Sequence, residues 1–353
     1  MMAAMLRIET IKPGDRRYAR ISYLFMLVIL VLTGWLHLAP LLLSVLFAYL
    51  ALTKLHFAPR GGKALAVLLF VALVCAISYA LGHFVNMAVR ALPRIAEDAV
   101  PSIIKWASDR QIELPFSDYD SLRDFAMGTV SSEVQYLGRF ANFARGATVQ
   151  FVFLVAGCAV AISLFLNSRI VLDPPTHPTR TNLYVLCCNA IADRFRAFYE
   201  SFATVIGAQI VISTINTVFT AIFVVVLHFP YSMMLIGATF LCGLLPVVGN
   251  LISNTIIIGV AFTVSPRAAL EALIFLVVIH KLEYFLNSKI IGQRIRNPLW
   301  LTLLALLLGE RLMGIAGMIL APVVLNYLRL EASRIEVEVI KEGAVPETPA
   351  GQA

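Results

Sequence analysis

Four polar residues recur in one apolar stretch: Gln209, Ser213, Asn216 and Thr220, at i, i+4, i+7 and i+11. On a helix that spacing puts them on one face. In a membrane-length segment such a stripe has two readings. It can bond to neighbouring helices, at about 0.6 kcal/mol per contact on average, or it can form one wall of a hydrophilic solute path. A second polar group interrupts the apolar run 268–287, where His280, Lys281 and Glu283 fall close together. A carboxylate at bilayer depth costs roughly 2.5–3.5 kcal/mol, so it is paired, functional or snorkelling to the interface. His280 at i−3 and Asn287 at i+4 offer Glu283 partners on its own helix. Glu283 then reads either as a snorkelling surface charge beside Lys281 or as a proton or cation site. Glu271, nearer the other end of the run, reads as interfacial.

Two further stretches break apolar sequence with proline, glycine and polar residues. The first is Leu244-Leu-Pro-Val-Val-Gly-Asn250, followed by Ser253, Asn254 and Thr255. Pro246 removes a backbone donor, and Gly249-Asn250 permits a left-handed turn. The second runs from Asn297-Pro298 through Gly309-Glu310-Arg311 to Gly314, Gly317 and Pro322. Gly314, Gly317 and Ala321 are small residues of the kind that let helices cross closely. An anchor needs no such breaks, whereas a transporter does: unwound backbone within a bilayer is tolerated where it lines a cavity or is buried in protein. Re-entrant loops and tight full crossings are both compatible with the pattern.

These residues need membrane-spanning helices to position them. The chain is 59% apolar and 14% charged, against roughly 25% charged in soluble domains. Long apolar runs fall at 21–38, 39–58, 64–89, 146–168, 203–229 and 268–287, and shorter ones at 231–245, 251–264, 298–309 and 312–328. About 20 helical residues cross a hydrocarbon core. The reading is therefore all-α: a polytopic transmembrane helical protein with about eight membrane-spanning elements and broken or re-entrant hairpins in its C-terminal half. Pro40 fits a tight hairpin between the first two runs. Most of the 28 basic residues flank apolar runs on one side, which predicts both termini in the cytoplasm. They do not gather on a soluble face, so no nucleic-acid partner is expected. The five cysteines lack ligand or disulfide spacing and read as packing residues. No cleavable leader is expected at the N-terminus.

Five segments follow: spans 1–3 at 1–89, an extramembrane helical segment at 90–145, a fourth span with an interfacial helix at 146–200, a core with two broken hairpins at 201–330, and a polar tail at 331–353. Within 90–145, Ser121 with Asp124 resembles a capping box, and Val130, Val134, Leu137 and Ala141 form an apolar stripe. A pair of helices outside the membrane is the expectation. Residues 181–200 read as an amphipathic helix, with Tyr184, Cys188, Ile191, Phe195 and Phe198 on one face, suited to the membrane interface. Asp173 and His177 lack a nearby third ligand, so no metal and no cofactor are expected.

The ordered motifs Pro246-Val-Val-Gly249, Leu282-Glu283-Tyr284, Lys289-Ile-Ile-Gly292, Asn297-Pro298-Leu299 and Gly314-Ile-Ala-Gly317-Met318 with Pro322 resemble those of the AI-2E family of bacterial membrane transporters. The likeness is close over about 200–330 and follows span layout elsewhere. Two positions depart from the family pattern. Val247 and Asn250 stand where an aromatic and a second proline are usual, and Ser288 stands where a proline usually precedes the glycine motif. The resemblance implies export of a small signalling molecule or, as in other members, sodium–proton antiport. It also implies a homo-oligomer, with a pentamer as the expected form.

The leading expectation is a secondary transporter moving a small polar solute outward across the bacterial inner membrane. Its path would use Gln209, Ser213, Asn216, Thr220, Pro246, Gly249, Asn250, Asn254, His280, Glu283, Asn287, Pro298, Gly314 and Gly317. The alternative is cation–proton antiport through Glu283. A third reading, of another class, is a scaffold that binds a membrane partner through 90–145. No GxxxxGK[ST], HExxH or GxSxG motif occurs, so neither ATP hydrolysis nor intramembrane catalysis is expected.

Overall fold

The computed structural model describes residues 15–56, 62–112, 121, 136–167, 183–245, 248–290 and 298–334. These residues form helices and turns, with no strand among them. That outcome follows from the sequence, because apolar segments in lipid must satisfy their backbone groups internally. The helices are α1 (Asp15–Trp35), α2 (Ala39–Leu55), α3 (Gly62–Ser108), α4 (Tyr136–Leu166), α5 (Leu183–Val226), α6 (Ser232–Gly243), α7 (Val248–Val264), α8 (Pro266–Ile290) and α9 (Leu299–Ser333).

Four of them, α3, α4, α5 and α9, are long and apolar enough to cross a membrane. Helices α1 and α2 are bent by 117° relative to each other across a short break. Pro40 opens α2, and His37 before it takes a left-handed conformation, φ 52°. Helix α8 is 25 residues long, and Arg267, Glu271, Lys281 and Glu283 make it more polar than the plain spans.

Two expectations change. The amphipathic stretch 181–200 and the span 203–229 form one unbroken helix, α5, of 44 residues, roughly 66 Å long. Of its amphipathic face Phe198 is buried beside Ala197, whereas Tyr184 and Phe195 stay exposed. The third span likewise continues to Ser108 in one helix of 47 residues. Ala91 and Ile95 near its far end are buried in a cluster with α7 and α8, so this part of 90–145 belongs to the core. Asp124, Val130 and Val134 lie outside the described residues, as do Asp173, His177 and residues 335–353 of the tail.

Helix α5 is the spine. Its first half, through Ala197, Phe198, Phe202 and Ile206, packs with Met26 of α1, Leu43 and Leu46 of α2, and Leu320, Val323 and Tyr327 of α9. Its second half, through Val224, joins α3, α6, α7 and α8 around Leu235, Ile257, Val260 and Ala272. A third cluster joins α2, α3 and α4 around Leu52, Phe70 and Ala161. In hydrocarbon such contacts gain little from water exclusion, so close packing and hydrogen bonds must hold them. Gly157 illustrates this: a Cβ there would lie 2.5 Å from Ser44 Cβ. The Tyr23 hydroxyl of α1 donates to Glu331 of α9 at 2.9 Å, so the start of α1 and the end of α9 lie at the same end of the bundle.

Candidate functional site

The site is built on a broken helical hairpin. Helices α6 and α7 have 12 and 17 residues, about 18 and 25 Å, both short of a hydrocarbon core of roughly 30 Å. They meet near Gly243 and Gly249. A Cβ at Gly249 would overlap the carbonyl oxygen of Cys242, so the two legs touch backbone to backbone. Ending α6 inside the protein leaves carbonyls without helical partners. Two of these find donors on α5: Gln209 Nε2 donates to Gly243 O at 2.6 Å, and Ser213 Oγ donates to Phe240 O at 2.8 Å.

One to two turns further along α5, the stripe changes character. Asn216 and Thr220 line a small polar cavity of about 20 Å³ together with Thr239, Asn250, Ser253, Asn254, His280 and Glu283. Leu276 and Ile279 form its apolar wall. Helices α5, α6, α7 and α8 all contribute. Glu283 Oε2 accepts two amide hydrogen bonds, from Asn250 Nδ2 at 2.6 Å and from Asn216 Nδ2 at 3.2 Å. Asn250 lies in the first turn of α7, where a helix carries partial positive charge, so the carboxylate is placed where an anion is favoured. Among the described residues Glu283 has no ion pair.

The remaining groups present acceptors. Asn216 is 5% exposed, and its Oδ1 is buried without a hydrogen-bond partner. Thr239 donates its proton to Leu235 O at 2.8 Å and Ser253 donates to Asn250 O at 3.2 Å, leaving hydroxyl lone pairs. A carboxylate, an amide carbonyl and hydroxyl oxygens together suit a cation or a solute rich in donors.

The structure thus brings together Asn216, Thr220, Asn250, Asn254, His280 and Glu283 of the expected residues. Gln209, Ser213 and Gly249 hold the hairpin that carries Asn250. Partners for Glu283 come from other helices, while His280 lies beside it on the cavity wall. Pro246 and the side chain of Asn287 lie outside the described residues. Glu271 pairs with Arg267 at 3.1 Å on the surface.

Pro298, Gly314 and Gly317 lie elsewhere. Gly314 has φ 60°, ψ −143° within α9, a conformation open to glycine. Gly309 and Gly317 would lie roughly 12 Å apart on a straight helix, yet a Cβ on Gly317 would overlap Gly309 O. The chain therefore doubles back at Gly314, and α9 is itself a helical hairpin. It packs on α1, α2 and the first half of α5, with no contact to α8 among the described residues. The expectation that both breaks line one site is corrected: they fall in separate clusters. Tyr327 stacks edge-on against Phe198 at 5.5 Å. Counting 1.5 Å per residue from that pair along two antiparallel helices, both breaks reach a similar depth along α5, some 20 Å away.

Thr239 escaped the sequence reading. Its i+4 relation to Leu235 looks like an ordinary back-bonded threonine, and only the hairpin turns it toward Glu283. Leu276 and Ile279 gave no signal, being apolar residues in an apolar span.

Comparison with known proteins agrees with this architecture. A protein of Bacillus subtilis (strain 168), named "Putative transport protein YdbI", is 31% identical over 133 residues, which cover 37% of this chain and 38% of that protein. The match spans little more than a third of that relative's length. The model of the AI-2E family transporters matches residues 21–329. With nearly the whole helical bundle inside that match, the chain is a multi-pass membrane protein that belongs to the AI-2E transporter family.

Proposed function

We propose that the protein is a secondary transporter that exports a small polar solute, such as a signalling molecule, across the bacterial inner membrane, with both termini in the cytoplasm. The observation that carries this reading is the cavity between the broken hairpin α6–α7, α5 and α8, where Glu283, Asn216 and Asn250 meet. Discontinuous helices that end inside the protein and meet at polar groups are the usual construction of a transporter binding site. Transport through it requires the solute to favour inward- and outward-facing states differently. At about 20 Å³ the cavity admits a water-sized guest, so the described conformation is closed to a larger solute.

That same size favours a second reading, cation–proton antiport at Glu283. A dehydrated sodium ion fits where an organic solute does not, and the acceptor-rich wall suits it. Both readings place function on the same carboxylate. The test is flux in proteoliposomes containing the full chain: sodium-22 uptake against a pH gradient, and export of labelled small hydroxylated solutes from inside-out vesicles. Glu283→Gln should lower whichever flux occurs at least tenfold. Substrate should also protect single cysteines at 248–254 from thiol reagents while leaving those at 309–314 unprotected. Unchanged flux in Glu283→Gln, or no protection at 248–254, would remove this site.

A further inference from the structure

A second set of buried polar groups lies far from the cavity, at the end of the bundle where α1 begins and α9 ends. Among the described residues, seven buried polar side-chain atoms lack a hydrogen-bond partner. Six of them are here: Arg194 Nε and Ser201 Oγ on α5, with Asn326 Nδ2 and Oδ1, Tyr327 Oη and Arg329 Nη1 on α9. Ser201, Asn326 and Tyr327 are 0%, 1% and 3% exposed. Buried polar groups in folded proteins are nearly always bonded, so a concentration of orphans marks a place where a partner belongs.

The chemistry of the orphans specifies that partner. Two guanidinium groups, an amide NH2 and two hydroxyls can donate, against a single obligate acceptor, Asn326 Oδ1. Charge points the same way. Glu331, 4% exposed, pairs with both Arg194 and Arg334 and accepts from Tyr23. It thereby already serves two cations, and Arg329 makes no ion pair among the described residues. The Arg194 guanidinium also lies over the Tyr23 ring at 4.6 Å, and its Nη1 carries the bonds to Glu331 and to the Tyr23 hydroxyl, so Nε is left without a partner. Within this cluster three arginines, Arg194, Arg329 and Arg334, stand against the single carboxylate of Glu331, which leaves the cluster positive.

We propose that the α1–α5–α9 end holds a phosphate group, read by Arg194, Arg329, Asn326 and the hydroxyls of Ser201 and Tyr327. A phosphate supplies several acceptor oxygens in one small ion and matches guanidinium geometry. Two sources share that chemistry: the headgroup of an anionic phospholipid and a free phosphate-bearing solute. The site stands independently of the assignment of Glu283.

Thermal unfolding of the purified full chain in detergent tests it. The probes are sodium phosphate against sodium chloride at equal ionic strength, and short-chain phosphatidylglycerol against diacylglycerol of the same chain length. A Tm increase with both phosphate probes supports the site for either source; an increase with phosphatidylglycerol alone assigns it to lipid, and with inorganic phosphate alone to a solute. Arg329→Gln should weaken the apparent affinity about tenfold or more, as loss of a charge-assisted hydrogen bond does. Asn326→Leu guards against misfolding as the explanation, because it removes two orphan atoms and should preserve or raise Tm without ligand while abolishing the phosphate-induced shift. No shift with either probe, or a shift undiminished in both variants, overturns the proposal.

Discussion

Glu283 is held by amides rather than by a counter-charge, and that choice separates the roles of the polar stripe. Gln209 and Ser213 cap carbonyls that α6 leaves at its end, whereas Asn216 reaches the carboxylate and keeps a buried oxygen without a partner. Ser213→Ala should therefore destabilise the protein by about 0.6 kcal/mol, up to about 1.7, the range for single hydrogen bonds between membrane helices. Gln209→Leu should cost somewhat more, since it leaves Gly243 O buried without a donor. Asn216→Leu should change stability by less than about 1 kcal/mol, because the amide is only half satisfied, yet it should lower flux as strongly as Glu283→Gln. Thermal unfolding beside vesicle flux resolves the two classes. Periodicity made the stripe legible from residue spacing, because a helix face follows from 3.6 residues per turn. It could not show that the face passes from one neighbour to another within two turns, which depends on where the hairpin tip ends.

At the scale of elements, glycines set how closely the hairpin legs approach. Both breaks were legible as proline and glycine in apolar runs; their pairing was not. Distance along a chain says nothing about which side of α5 a hairpin will occupy, and that side separates Gly314 and Gly317 from the cavity. The length of α5 was hidden for a related reason, since an amphipathic stretch has the same residue pattern whether it ends before a span or runs on into it. Steric contacts give a sharp expectation. Gly249→Ala and Gly317→Ala would drive a methyl into the backbone oxygens of Cys242 and Gly309, so each should cost about 1–3 kcal/mol or more. Gly207 and Gly259 have open space where a methyl would stand, with nothing within 4 Å, and alanine there should be neutral or stabilising by up to about 1 kcal/mol. Unfolding midpoints of the four variants should fall into two groups. Equal midpoints would mean that the legs do not touch.

For the whole molecule, the arrangement of α3 bears on assembly. Phe70 packs against α2 and α4, and Phe84 packs against the α6–α8 cluster. Between them residues 71–83 are exposed on all sides, apart from a partly covered Val74. A helix apolar all round is at home in lipid or in a larger assembly. A homo-oligomer, which the family resemblance implies, would bury one face of it, and single cysteines at 71–83 in a cysteine-free background distinguish the two. Oxidation in native membranes should cross-link copies at positions three or four apart. An absence of cross-links throughout would leave α3 to lipid. The scaffold reading needs a narrower test than removal of 90–145, because Ala91, Ile95, Ala99 and Val100 are buried and their loss would unfold the core. Residues 113–135 can instead be replaced by a flexible glycine–serine segment of equal length, which spans the same distance without recognisable side chains. A transporter working through Glu283 should keep flux within about twofold of the parent, since none of the cavity residues lies in that segment. A scaffold acting through it should lose its activity entirely while remaining folded, as unfolding midpoints would show.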